Sequence, residues 1–69
     1  MFSFLPLRTY LEANDLSVKW LMREVGFSTN VAVALNNDQP VKIEIIAEIC
    51  RFLKLSIEEV VIVTQVEAP

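Results

Sequence analysis

Leu16-Ser17-Val18-Lys19-Trp20-Leu21-Met22-Arg23-Glu24-Val25-Gly26-Phe27-Ser28-Thr29-Asn30-Val31-Ala32-Val33-Ala34-Leu35 spells two short helices joined by one tight turn. Ser17 is an N-cap residue type placed ahead of a helix through Val25. Gly26, the only glycine in the chain, follows where a left-handed backbone is needed to stop it. Ser28 can cap a second short helix running to about Leu35. Leu21, Val25, Phe27, Ala32 and Leu35 then fall at the positions that two crossing helices must bury.

On the N-terminal side, Leu7, Tyr10 and Leu11 repeat at helical spacing behind Pro6, which a first turn tolerates, so a helix is expected over about residues 4 to 14. Asn14-Asp15 ends it. On the C-terminal side, residues 36 to 40 form a loop by composition, and Ile43, Ile46, Ile49, Cys50 and Leu53 mark the buried stripe of a helix over about 42 to 54. Ser56 and Glu59 form a capping box, and Leu55 with Val60 supplies the apolar staple of a fifth, short helix. The stretch from Val61 to Pro69 is β-branched, which is compatible with an extended chain but leaves its conformation open. The expectation is an all-α domain of five short helices over residues 1–62 with a tail over 63–69. Its core should hold Leu11, Leu21, Ala32, Leu35, Ile46, Ile49, Cys50 and Leu53.

Composition narrows the function classes. Cys50 is the single cysteine and there is no histidine, so neither an internal disulfide nor a zinc site of the usual spacing is expected. Catalysis lacks a histidine base, a glycine-rich phosphate loop and an enclosed carboxylate pair, and 69 residues are too few to wrap a substantial pocket. The chain therefore reads as a non-enzyme with no cofactor and no small-molecule substrate. The apolar content is 54%, high for so small a domain, which calls for apolar side chains at the surface and hence a protein partner. The longest aliphatic run, Val60 to Val63, is far short of the roughly 20 residues that a membrane span requires. The N-terminus lacks the basic flank of a signal peptide, so a cytoplasmic protein without membrane contact is expected.

Taken together, Leu7-Arg8-x-x-Leu11, Leu16-Ser17, Leu21, Val25-Gly26-Phe27-Ser28, Ala32, Leu35-Asn36, the isoleucine-rich fourth helix and Ser56-x-Glu58-Glu59-Val60 resemble the Cro and phage-repressor class of helix-turn-helix proteins. That resemblance implies a second helix that sits across the DNA backbone and a third that reads bases. Against the family pattern, Val18 stands where a glutamine is frequent and Trp20 where a glutamate is common. Met22 replaces a small residue at the helix crossing, and Asp38 lies in a loop that is often basic. The exposed side of the third helix offers Thr29, Asn30, Val33 and Ala34. No lysine or arginine occurs between Glu24 and Val41, and six basic against nine acidic residues leave a net charge of -3.

Two functions compete for this pattern. Because phosphate contacts supply most DNA affinity, a charge-poor recognition element points first to a protein partner. In that reading the chain is an antirepressor, binding the DNA-binding domain of a repressor and blocking its operator contact. It is similar in this combination to phage modulator-of-repression proteins. Val18, Trp20, Thr29, Asn30 and Val33 would form the centre of the interface, with Glu24 and Asp38 as an acidic rim. The alternative is a Cro-like regulator that binds duplex DNA as a dimer, using Thr29 and Asn30 on bases and Lys19, Arg23 and Lys42 on phosphates.

Overall fold

The computed structural model describes residues 1–63. A short strand β1 (Phe2–Ser3) leads into four helices, α1 (Leu5–Ala13), α2 (Val18–Val25), α3 (Thr29–Asn37) and α4 (Ile43–Leu53). A 3₁₀ turn (Ile57–Glu59) and a second short strand, β2 (Ile62–Val63), follow. The domain is mostly helical as expected, with two corrections. The fifth helix is a single 3₁₀ turn, and the chain beyond it returns to pair antiparallel with β1, Phe2 opposite Val63 and Ser3 opposite Ile62. The tail assigned from residue 63 thus begins inside this ladder, and residues 64–69 lie outside the described part.

The local signals act as their chemistry dictates. The Ser17 hydroxyl accepts from the Trp20 amide at 3.0 Å, and Gly26 closes α2 in the left-handed region at φ 95°, its N–H donating to the Met22 carbonyl. Ser28 caps α3 through the Val31 amide. α3 continues two residues past Leu35, because Asp38, at φ 56°, is the residue that ends it. In the final turn the Glu59 carboxylate accepts from both the N–H and the hydroxyl of Ser56, each at 2.9 Å. These bonds hold the Glu59 carboxyl below its ordinary pKa.

Phe4, Leu7, Leu11, Leu21, Leu35, Ile49 and Val60 are fully buried, joined by Val18, Ala32 and Ile46. Cys50 and Leu53 were expected inside and are half-buried. The buried stripe of α4 is centred on Ile46 and Ile49, Cys50 lies on its flank, and Leu53 closes the helix where the stripe reaches the surface. Phe4 enters the core because the β1–β2 pairing draws the N-terminal segment across it; its ring meets Phe2 edge-on at 5.6 Å.

A polar clasp fixes α3 against this N-terminal segment. Asp38 accepts from the Phe4 amide at 2.7 Å and from Arg8 Nη1 at 2.9 Å, with the Ser3 hydroxyl at 3.4 Å. Arg8 Nη1 also donates to the Leu35 carbonyl at 2.6 Å, near the C-terminal end of α3. The Arg8 hydrogen bond, followed by that of the Phe4 amide, lowers the Asp38 pKa.

Candidate nucleic-acid interface

α3 buries Ala32 and Leu35 against the body of the domain and turns Ala34 towards α4, into a cleft that Pro40, Val41 and Ile45 also line. Ala34 is accordingly buried rather than part of the outer face. What α3 leaves exposed is a continuous uncharged stripe of Thr29, Asn30, Val33, Asn36 and Asn37. Residues three and four apart on a helix are surface neighbours, so Thr29, Asn30 and Val33 form one contact area. The Asn37 amide is occupied, donating to the Val33 carbonyl at 2.9 Å.

Cations reach this area from other elements. Lys42, at the start of α4, lines the same cleft as Ser28 and Asn30, so the turn through Pro40 brings a positive charge beside the N-terminal half of α3. Lys19 and Arg23 are exposed four residues apart on α2 and share a face. The Arg8–Asp38 contact is the one ion pair among the described residues, so it engages none of these three cations.

The structure separates the residues assigned to a protein-binding centre. Val18 is only 8% exposed and belongs to the core, because α2 presents Val18, Leu21 and Val25 inward at helical spacing. Trp20 is half-buried and packs on Phe52 of α4 with ring centroids 5.9 Å apart. Glu24 borders a cleft with Val25, Glu48, Arg51 and Phe52 to which α3 contributes nothing. Asp38 is an internal acceptor rather than a free acidic rim, its charge met by Arg8. Thr29, Asn30 and Val33 alone remain together on an open face.

Arg8 holds Asp38 at the end of α3 without itself reaching the open face, a role that the sequence does not disclose. In sequence it stands only as a member of the Leu7-Arg8-x-x-Leu11 motif, and its partner lies 30 residues away. No local pattern connects the two.

The sequence model of the Cro/C1-type HTH DNA-binding domain matches residues 6–65. The chain belongs to this family, a class of DNA-binding domains and not of enzymes. Comparison with curated proteins gave no match, and neither did comparison with solved structures. No helix among the described residues is long and apolar enough to cross a membrane.

Proposed function

We propose that this chain is a transcriptional regulator that binds duplex DNA as a dimer, presenting α3 to the major groove. Thr29, Asn30 and Val33 face the bases, and Lys19, Arg23 and Lys42 contact phosphates. The observation that carries the reading is the arrangement around α3: an open polar face with Lys42 brought alongside Asn30, in a chain of a DNA-binding family. Helix-turn-helix readers place their second helix in the groove in this way and pair two half-sites through a dimer.

The sparse charge sets how this binding should behave. Three phosphate contacts per protomer correspond to a slope of log K against log salt of about -3, and a pair of protomers to about -5. Affinity should therefore be weak for one domain and depend on pairing. Fluorescence anisotropy with labelled duplex, titrated from about 50 to 200 mM salt, measures that slope. Lys42→Ala should lower its magnitude by about 1 per protomer. Failure to bind any duplex at the low-salt end would remove the proposal.

A second reading, the antirepressor, draws support from the absence of lysine and arginine between Glu24 and Val41. It is weakened by the burial of Val18, the packing of Trp20 against Phe52 of α4 and the internal pairing of Asp38. Pull-down of a repressor DNA-binding domain by a chain that binds no duplex would favour it.

A further inference from the structure

The open face of α3 is restricted in which base edges it can address. The guanine edge offers two acceptors, best met by arginine or lysine, and α3 has neither. Cytosine offers a donor best met by a carboxylate; α3 has none, and the carboxylate at its end, Asp38, is taken by Arg8 and the Phe4 amide. The Asn30 side chain is exposed and carries a donor and an acceptor on one amide, the pattern complementary to adenine N6 and N7. Val33 is 52% exposed, an apolar side chain on an otherwise polar stripe, of a kind that fits the thymine methyl.

We infer that α3 reads A·T pairs, with Asn30 hydrogen-bonding an adenine edge and Val33 packing on a thymine methyl. This rests on the duplex-binding function proposed above and adds the sequence class of its site. Three residues of helix advance about 4.5 Å along the axis, comparable with the roughly 3.4 Å between successive base pairs. Asn30 and Val33 can therefore meet one pair or two adjacent ones. Lys42, across the cleft from Asn30, supplies a phosphate anchor that holds this register without choosing the base.

The test is selection of the full chain on a randomised duplex pool at about 50 mM salt, where sparse phosphate contacts still bind. The winning duplex is then remade with 7-deazaadenine for adenine, or uracil for thymine. An A·T-rich half-site is expected. Removing the adenine N7 should weaken the wild type roughly tenfold and leave Asn30→Ala unchanged, since a bidentate contact discriminates by about one to two orders of magnitude. Removing the thymine methyl should weaken the wild type by about threefold and leave Val33→Ala unchanged, in line with the loss of one buried methyl group. Both variants sit at exposed positions and should keep the wild-type circular-dichroism spectrum. A G·C-rich winner, binding without sequence preference, or indifference to both base analogues would overturn the A·T inference while leaving duplex binding in place. No binding to any duplex would overturn both.

Discussion

Replacing Phe4 by alanine tests whether the N-terminal segment is part of the core. Phe4 is 1% exposed, whereas its neighbour Leu5, inside α1, is 54% exposed. A buried aromatic side chain covers roughly 150 to 250 Å², which at about 25 cal/mol per Å² gives a transfer contribution of about 4 kcal/mol at the lower end. The cavity adds to that cost and partial collapse reduces it, so Phe4→Ala should lose about 3 to 5 kcal/mol. A domain of this size has roughly 3 to 10 kcal/mol in total, and the midpoint of thermal unfolding should fall by about 12 °C or more. The Phe4 amide is retained in the variant, so its bond to Asp38 is not removed by the substitution itself. Leu5→Ala should cost no more than about 1 kcal/mol, because half of that side chain is already in water. Urea unfolding followed by far-ultraviolet circular dichroism, with Trp20 fluorescence as a second probe, measures both. A loss under about 1 kcal/mol for Phe4→Ala, or equal losses at the two positions, would refute the placement of Phe4 beneath the strand pair.

Asp38→Asn keeps a residue that tolerates the left-handed backbone but removes the charge facing Arg8. The folded-state pKa of Asp38 is depressed, so its contribution is fully present above the unfolded value near 4 and is lost as pH falls through the folded value. The variant should be less stable than the wild type at neutral pH, with the gap closing in acid; a gap that widens on acidification would contradict the clasp. Gly26→Ala meets no atom within 4 Å of the new methyl, so its cost of about 1 kcal/mol should come from φ alone and be smaller for Gly26→Asn; equal losses measured by denaturation would point to packing instead. Trp20→Ala should lower stability through its contact with Phe52 and change duplex affinity of the folded protein by less than about threefold, as anisotropy would read; a larger change would return Trp20 to the interface.

Residues 16–35 specified their own structure because the instructions are local. Ser17, Gly26 and Ser28 each act within four residues of chain, and the inward positions of α2 and α3 follow from helical periodicity. The same holds for the Ile46–Ile49 stripe and for Glu59 reaching back to Ser56. The family resemblance was legible for this reason, as was the uncharged, open face of Thr29, Asn30 and Val33. Tertiary structure decided whatever depended on residues far apart in sequence. Segments as short as Phe2–Ser3 and Ile62–Val63 become strands only when each finds the other, and that pairing placed Phe4 in the core. Asp38 looked like a free acidic rim until the fold set Arg8 and the Phe4 amide against it. Trp20 was assigned to a partner because it stands where the family commonly has a glutamate, yet α4 supplied Phe52 from 32 positions away. Val18 was read from the family's exposed pattern, whereas its own apolar side chain follows the inward face of α2. Hydrogen-bonding and periodic preferences act over a few residues and are written in the chain, but burial and charge neutralisation depend on which distant groups arrive, which only packing determines.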